Sequence, residues 1–540
     1  MTPKMSLIPI AVLYALTLAA CGDGDKPGNN AGGSGGTTGG GPAGGTSGGG
    51  VGGGSYLFYR GSLMAVDPDE PATPVTVESG DDIIDGSERT VYFGNYTPAT
   101  QIVSNMHVRG LIYAKSDGRL YRISALTSAS PTPSQLSSEN AANTLCTQLK
   151  YDNDAVDLND VNMAQYLYPL PGGDGLCGTS DDEWKMVRFG MGPGDAPVAA
   201  KPPVMPLGDA ASGALSGWLV NDNGAIRRCD ANFANCGPTL KTVAGSAHHL
   251  LDTGLNRALL DIDGQLFVYD DNGSALSAPL FTIPPSTFLG GPPVTDGNAV
   301  FFEHDKTIYR LPADGSAPAT ALAVDTAPVF RVLVTSTNVV YQTDTELKAV
   351  DKTKGGTASG LLSLSGGNNA YVFQAGDDLY YTVQKLVFTP SFSVEQIKAG
   401  IVDHNGNAKL EVSQAAWVGG SARSNFNMGT GSALAADKFD SLILAQGKTN
   451  RLPGATLKSF DTASASEIAE LGTVPDDVDS VNCFGIANDA LCSALVLVTP
   501  PPVPPAPPFQ VDILFVNPMQ ADSLTRLTNT PDKIEAPLWY

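Results

Sequence analysis

Short apolar segments alternate with polar turns over residues 55–540, and amphipathic helical periodicity is almost absent there. One unit recurs, an apolar strand followed by a tight polar turn and a second apolar strand. Alternating apolar and polar positions joined by such turns are typical of antiparallel hairpins. Five copies of the unit are Leu111–Ile123, Trp218–Cys229, Ala258–Asp270, Ala299–Leu311 and Val339–Asp351.

The turns of these hairpins recur at regular spacing. Their central residues are Asp117-Gly118, Asn223-Gly224, Asp263-Gly264, Asp305-Lys306 and Asp344-Thr345. Asn-Gly and Asp-Gly supply the positive φ angles that tight hairpins need. From Asn223 onward the steps are 40, 42 and 39 residues (223 to 263, to 305, to 344). Such a period is typical of propeller blades, so we predict an all-β β-propeller of seven or eight four-stranded blades over residues 55–540. An irregular sandwich or two β-domains is the alternative.

The step from Gly118 to Gly224 is too long for one blade. Residues 125–210 lie within it and are rich in Ser, Pro, Gly and Asp. We therefore predict that residues 125–210 are a loop insertion within one blade.

The first 21 residues have a different pattern. Met5–Leu18 is an uncharged apolar segment of 14 residues behind the positively charged Lys4. A bilayer-spanning helix needs about 20 residues, so this order predicts a signal peptide over residues 1–20. Leu18-Ala19-Ala20-Cys21 resembles the lipobox of bacterial lipoproteins. That resemblance implies cleavage before Cys21 and acylation of Cys21, with several acyl chains giving a stable membrane anchor. An ordinary cleaved signal is the alternative.

Two features place the mature protein in the cell envelope. Gly22 stands where some lipoproteins carry the Asp that signals inner-membrane retention, which favours the outer membrane, on its periplasmic face or at the cell surface. Residues 22–54 are almost entirely small and polar, so we predict a disordered linker over 21–54. Its root-mean-square reach is about 30 Å, which holds the body clear of the lipid headgroups.

The cysteine count agrees with an acylated Cys21. Setting it aside leaves six of the seven cysteines. They fall into pairs, and an oxidising compartment permits disulfides between them. Buried free thiols are the alternative. The pairs are Cys146 with Cys177, Cys229 with Cys236, and Cys483 with Cys492.

The charge excludes some partners. Asp and Glu outnumber Lys and Arg by 55 to 32, giving a net charge of −23. Phosphate contacts need basic surface, so we expect no nucleic acid partner. Leu442–Asn450 ends like a phosphate-binding loop but has Leu442 in place of the first glycine, so no nucleotide is expected.

A second resemblance lies at the end of the chain. Leu524–Pro531 followed by Ala536–Trp539 is similar to the blade repeat of TolB-type propellers, in which a Leu-Thr-Asn segment precedes a Pro-x-Trp turn. The resemblance implies a propeller blade over the last 20 or so residues. The chain stops at Tyr540, before the further strand of that repeat. We predict that Tyr56–Tyr59 pairs beside the C-terminal strands and closes the ring, which leaves no open edge.

Candidate chemistry is sparse. Carboxylates on a flexible loop are suitable ligands for Ca²⁺, although their spacing here does not match an EF-hand. The alternative is that these carboxylates are exposed turn residues with no ligand. The candidate calcium ligands are Asp152, Asp154, Asp157 and Asp160, and Asp174, Asp181, Asp182 and Glu183. The scattered His107, His304 and His404 favour no Ser-His-Asp arrangement, so no catalytic residue, cofactor or metal ligand is predicted.

These patterns predict a function without catalysis, a membrane-anchored protein-interaction or scaffold module of the cell envelope. Its partner would be another envelope protein, bound by loops at one rim of the ring, with residues 125–210 as one candidate. Fold alone does not establish function, so two alternatives stay open. One is an envelope hydrolase or lyase with its site in the propeller channel, and the other is a structural surface lipoprotein.

Overall fold

The computed structural model describes residues 56–59, 63–66, 75–78, 89–97, 102–123 with two gaps, 132–138, 155–156, and 163–526 with gaps. Within this part of the chain every regular element is a β-strand and no α-helix occurs, which confirms the predicted all-β class. None of the described residues belongs to a helix that could cross a lipid bilayer. The predicted signal peptide, Cys21 and the predicted linker lie outside the described residues, which begin at Tyr56.

The strands before residue 200 form three sheets. Sheet I contains β1 (Tyr56–Tyr59), β2 (Leu63–Val66) and β3 (Val75–Glu78). Sheet II contains β4 (Arg89–Thr97), β5 (Ile102–Ala114), β6 (Leu120–Ile123), β7 (Ser134–Gln135) and β8 (Ala155–Val156). Sheet III contains β9 (Gln165–Leu170), β10 (Glu183–Arg188) and β11 (Val198–Ala199).

Five antiparallel sheets follow, with their strands in chain order except that β20 of sheet V pairs with β18. Sheet IV contains β12 (Pro203–Gly208), β13 (Leu215–Asn221), β14 (Ala225–Asp230) and β15 (Lys241–Thr242). Sheet V contains β16 (Ala247–Gly254), β17 (Arg257–Ile262), β18 (Gln265–Asp270), β19 (Ala275–Leu276) and β20 (Phe281–Thr282). Sheet VI contains β21 (Val294–Thr295), β22 (Ala299–His304), β23 (Thr307–Pro312) and β24 (Thr320–Val324). Sheet VII contains β25 (Arg331–Val334), β26 (Asn338–Gln342), β27 (Glu346–Asp351) and β28 (Ser359–Ser363). Sheet VIII contains β29 (Asn369–Ala375), β30 (Asp378–Val387), β31 (Ser393–Asp403) and β32 (Ala408–Ser413).

Sheet IX has eight strands and joins two four-stranded meanders. The first meander contains β33 (Ala415–Arg423), β34 (Lys438–Gln446), β35 (Thr456–Asp461) and β36 (Glu467–Thr473). The second contains β37 (Val478–Ile486), β38 (Asp489–Leu497), β39 (Phe509–Val516) and β40 (Thr525–Arg526). The two first strands, β33 and β37, pair in parallel and connect the meanders.

The predicted hairpin turns lie between the second and third strands of their sheets. Asn223 and Gly224 have φ of 51° and 77°, and Asp263 and Gly264 have φ of 53° and 77°. Asp305 and Lys306 also have positive φ, at 48° and 63°. Positive φ at both central residues matches the right-handed twist of the flanking strands. Asp344-Thr345 joins β26 to β27 without positive φ, so the 40-residue period is preserved although the turn type changes.

The core lies between the sheets. Each main cluster of buried apolar residues takes its members from two consecutive sheets, as where Leu219 of sheet IV packs with Leu260 and Phe267 of sheet V. The same holds for sheets II and III, III and IV, V and VI, VI and VII, VII and VIII, VIII and IX, and the two halves of sheet IX. Meanders stacked face to face in chain order are the blades of a β-propeller. The predicted number of seven or eight blades is not confirmed, because the described residues form nine sheets.

The third strand of five sheets ends in an aspartate. Its carboxylate accepts a hydrogen bond from a backbone amide two or three residues further on, as from Thr353 to Asp351 at 2.8 Å and from Asn405 to Asp403 at 2.9 Å. These Asx turns fix the start of the connection to the fourth strand. The five aspartates are Asp230, Asp270, Asp351, Asp403 and Asp461.

Several of these connections also contact the preceding sheet. The Gly356 amide donates to the Leu322 carbonyl at 3.0 Å, from sheet VII to sheet VI. Gly406 has φ of 85°, and a Cβ there would lie 2.7 Å from the Leu361 carbonyl oxygen of sheet VII. In sheet IX, Leu524 donates to the Leu471 carbonyl at 2.8 Å. We call the contact of Gly355 and Gly356 with Leu322, and of Gly406 with Leu361, the inter-sheet latch. The close approach explains why a glycine follows the strand-ending aspartate in sheets VII and VIII.

Residues 125–210 differ from the prediction. Strands β9, β10 and β11 form a sheet of their own, in which β10 pairs with β9 from Glu183 to Arg188. Its Val187 and Phe189 pack with Ile112 of sheet II, so this segment supplies core rather than a projecting loop. The interpretation of the whole segment as a loop insertion within one blade is therefore wrong. The segment looked like a loop because the long connections between its strands are rich in Ser, Pro, Gly and Asp and dominate its composition.

The structure tests two of the three predicted cysteine pairs. Cys229 and Cys236 form a disulfide at the end of β14, as predicted. Cys483 is also disulfide-bonded, and Cys492 lies directly opposite it in the register of β37 and β38. Cys146 and Cys177 lie outside the described residues.

The predicted ring closure is left untested. β1 pairs with β2, from Tyr56 opposite Val66 to Tyr59 opposite Leu63. Residues 527–540, which carry most of the TolB-like segment, lie outside the described residues. Pairing between the two termini therefore stays a prediction.

Candidate interaction surface on sheet VI

Three connections meet at one end of sheet VI. The strands of an antiparallel sheet alternate in direction, so the turn after the second strand and the connection after the fourth strand lie at the same end of the sheet. The Asp325 amide donates to the Lys306 carbonyl at 2.9 Å, and the Lys306 ammonium donates to the Thr326 carbonyl at 3.2 Å. The incoming connection joins them where the Gly290 amide donates to the Glu303 carbonyl at 3.2 Å. We call residues 324–330 the rim loop.

The rim loop is fixed by a buried aspartate. The Asp325 side chain is 5% exposed and lies 2.9 Å from the Lys348 ammonium of β27. It also accepts hydrogen bonds from the Tyr341 hydroxyl and the Ala327 amide, both at 2.9 Å. Burial alone would raise the pKa of Asp325, but the hydrogen bonds and the nearby ammonium lower it from 3.8 to about 2. The carboxylate is therefore ionised at neutral pH and ties the loop to sheet VII.

Two large apolar side chains flank this anchored loop. Val324 is 74% exposed and Phe330 is 54% exposed, whereas Val329 between them is buried with the core of sheets VI and VII. A fixed backbone presents Val324 and Phe330 to solvent without the entropy cost of ordering a mobile loop on binding. Binding residues are commonly presented by loops that a rigid scaffold holds in position, which makes the rim loop a candidate contact surface.

Polar groups below the rim loop tie the incoming connection to sheet VI. The Thr287 hydroxyl donates to the Pro284 carbonyl at 2.6 Å and lies 3.0 Å from Nε2 of His304. A hydroxyl has one proton, so Thr287 accepts from a protonated Nε2. His304 is 7% exposed and packs edge-on against Phe281, with ring centroids 5.5 Å apart. The Thr287 contact and the packing against Phe281 together hold the incoming connection in place.

Glu303 completes the packing of the three connections. Its side chain is 6% exposed and accepts a hydrogen bond from the Lys306 amide at 2.6 Å. A Cβ on Gly290 would overlap the Glu303 carboxylate, so a larger residue there would require the Glu303 side chain to move. The Glu303 carboxylate thus stabilises the turn at Asp305 and Lys306 from its buried side.

The other candidate residues are not brought into one site. Nδ1 of His404 lies 3.9 Å from Asp377, and Asn405 contacts its other ring nitrogen at 3.0 Å. His107 lies in β5 opposite Phe93. Of the candidate calcium ligands, Asp181 accepts from the Thr179 hydroxyl at 2.7 Å and from the Asp174 amide at 3.2 Å. The described residues hold no group of three or more His, Cys, Asp or Glu placed to bind a metal ion. Asp152, Asp154, Asp157 and Asp160 lie outside the described residues.

The rim loop was not singled out from the sequence. Val324 ends a strand and Phe330 precedes one, so both look like ordinary strand residues. The signal that could have found them is the short segment Asp325-Thr326-Ala327-Pro328 between two apolar strands. Pro328 cannot continue a strand interior, and Asp325 favours a turn.

The comparisons with known proteins give no family. No protein-family model matches the chain, and no curated protein matches it. Among solved structures, a eukaryotic initiation factor is 12% identical with a TM-score of 0.43, covering 90% of this chain and 98% of its own. A dihydro-heme d1 dehydrogenase is 8% identical with a TM-score of 0.34, covering 78% of this chain and 73% of its own. Because both TM-scores are below 0.5, no property of these proteins is transferred to this chain.

Proposed function

We propose that the chain is a lipid-anchored protein-interaction module of the cell envelope that acts without catalysis. The supporting observation is the rim loop, where a buried aspartate anchors a backbone that carries exposed Val324 and Phe330 at its two ends. Binding residues are commonly presented by loops on a rigid scaffold, and here the stacked sheets are that scaffold.

The anchor in this proposal is Cys21. Acylated Cys21 would fix the protein in the outer membrane, and residues 22–54 would let the body move at a distance from the lipid. The partner would be an envelope protein with an apolar contact surface. The net charge of −23 disfavours nucleic acid and anionic lipid as partners of the body.

The test is chemical cross-linking in intact cells, followed by isolation of the tagged full chain. We expect a reproducible envelope protein with the wild type and its loss with Phe330→Asp, because a carboxylate at the centre of an apolar contact is desolvated without a partner. Met519→Asp is the matched control, since Met519 is 55% exposed on the connection between β39 and β40 of sheet IX. Recovery of the same protein with Phe330→Asp, or of none with the wild type, would contradict the proposal.

A further inference from the structure

In sheets IV to IX the fourth strand of each meander lies at a sheet edge, and two of these strands carry no charge. An edge strand has unpaired N–H and C=O groups on which another strand can pair, and charges, short length, bulges or covering loops prevent this. β32 has Lys409 and Glu411, and β36 has Glu467 and Glu470. β15, β19 and β40 have two residues each. β24 and β28 have five residues each and contain no Lys, Arg, Asp or Glu.

Each of the two uncharged strands is interrupted by a bulge at a leucine. Ala321 and Ala323 of β24 pair with consecutive residues of β23, so Leu322 between them is the extra residue. Leu361 has the same place in β28, opposite the register shift in β27. A bulged residue is left out of the ladder, so its carbonyl can accept a hydrogen bond from outside the sheet.

The inter-sheet latch covers both bulged leucines. The Gly356 amide donates to the Leu322 carbonyl at 3.0 Å. The connection after β31 lies so close to β28 that a Cβ on Gly406 would be 2.7 Å from the Leu361 carbonyl oxygen. A strand added to β24 or β28 would need the space that these connections occupy. The latch therefore covers the middle of each edge that lacks charge.

We propose that the inter-sheet latch prevents the chain from pairing with a second copy of itself through β24 or β28. Two identical edge strands can pair antiparallel about a twofold axis, which gives a closed contact between two copies. The net charge of −23 repels a second copy at a distance, but salt screens such repulsion beyond about 8 Å. A covering connection acts at contact distance, where strand pairing takes place. This role is separate from the contact of the rim loop with a partner protein.

The test is sedimentation velocity of the full chain in one detergent buffer over a range of concentrations. We expect Gly406→Ala to shift towards a dimer at concentrations where the wild type does not, because the added Cβ pushes the connection away from Leu361. Gly454→Ala is the matched control. Gly454 also has positive φ, at 73°, but the nearest atom to a Cβ there belongs to Asp476 at 3.9 Å. Gly454→Ala should sediment like the wild type.

A charge on the opened edge separates strand pairing from association through general destabilisation. Ser359 is an exposed residue of β28, and Ser359→Lys added to Gly406→Ala should restore the sedimentation of the wild type. The added lysine makes the net charge less negative, so stronger overall repulsion cannot explain such a rescue.

The other latch gives a second, independent pair of variants, which keeps the test decisive if Gly406→Ala does not fold. A Cβ on Gly355 would lie 2.6 Å from the Leu322 carbonyl oxygen, so Gly355→Ala should expose β24. Ala321→Lys should reverse its association, since Ala321 is an exposed residue of β24. Wild-type sedimentation of folded latch variants would overturn the proposal. Equal association of Gly454→Ala, or association that the edge lysines leave unchanged, would also overturn it.

Discussion

At the scale of single residues, Asp325 is the group on which the rim loop depends most. It is buried, ionised, and bonded to Lys348 and Tyr341 of the next sheet. The sequence gives no reason to select Asp325 among the 55 acidic residues, because its neighbours are distant in the chain. A related but partly exposed grouping is that of Tyr381 and Lys398, which donate to Glu411 at 2.8 and 2.9 Å. In such groupings desolvation raises the pKa of the tyrosine, which keeps it neutral.

Replacing Asp325 should lower stability in a pH-dependent way. Because the folded-state pKa of Asp325 is lowered to about 2, its stabilisation is present above pH 4 and is lost as the pH falls towards 2. We expect Asp325→Asn to lower the free energy of unfolding by about 2 kcal/mol at pH 7, since Lys348 loses the nearer of its two carboxylate partners, Asp325 and Glu346. Urea unfolding at pH 7 and near pH 2.5 measures this. An equal difference between wild type and variant at both pH values would rule out the ionised pair as the cause.

At the scale of elements, the hairpins were predictable and their assembly was not. The turns at Asn223, Asp263 and Asp305 carry local chemistry that fixes φ, so the sequence alone located three of the second-to-third-strand hairpins. Sheet III was missed because its hairpin connection from residue 171 to 182 has no short turn. The inter-sheet latch was also missed, since Gly406 contacts Leu361 and the pairing of these residues depends on tertiary packing.

The latch predicts a graded series of glycine substitutions. Gly406→Ala should destabilise by about 2–3 kcal/mol, because it combines positive φ with a Cβ too close to the Leu361 carbonyl. Gly175→Ala has positive φ but no neighbour within 4 Å, so we expect about 1 kcal/mol. Gly194→Ala has neither feature and should be nearly neutral. Thermal unfolding of the three variants gives the order. Equal effects at Gly406 and Gly175 would show that the latch contact contributes nothing.

At the scale of the whole molecule, the described sheets from II to IX stack in chain order, and each buries apolar side chains against the next. In this arrangement, connections lie at both ends of the sheets. The rim loop is one that buried hydrogen bonds fix in place, so that it presents side chains to solvent in a defined position. The net charge of −23 keeps the surface well solvated, so an exposed Phe330 stands out within it. The stacking could be predicted from the repeated hairpins in the sequence. The position of the candidate contact surface could not, because it depends on hydrogen bonds between residues that are distant in the chain.

The lipid anchor is predicted by the sequence alone and is tested at this scale. Cys21→Ser should abolish incorporation of radiolabelled fatty acid and release the protein from the membrane fraction, because no acylated cysteine remains. Ser47→Ala, in the predicted linker, should change neither property. Labelling that persists in Cys21→Ser would place the acyl chain elsewhere or show that the label is not on this protein.

The most direct measurement is photo-cross-linking from the rim loop in living cells. A photoreactive amino acid at position 330 should form an adduct with one envelope protein. The same probe at Lys354, which is 84% exposed on the connection at the opposite end of sheet VII, should form none. An adduct specific to position 330 is the result expected of an interaction module. Equal labelling from both positions, or no adduct from position 330, would contradict it.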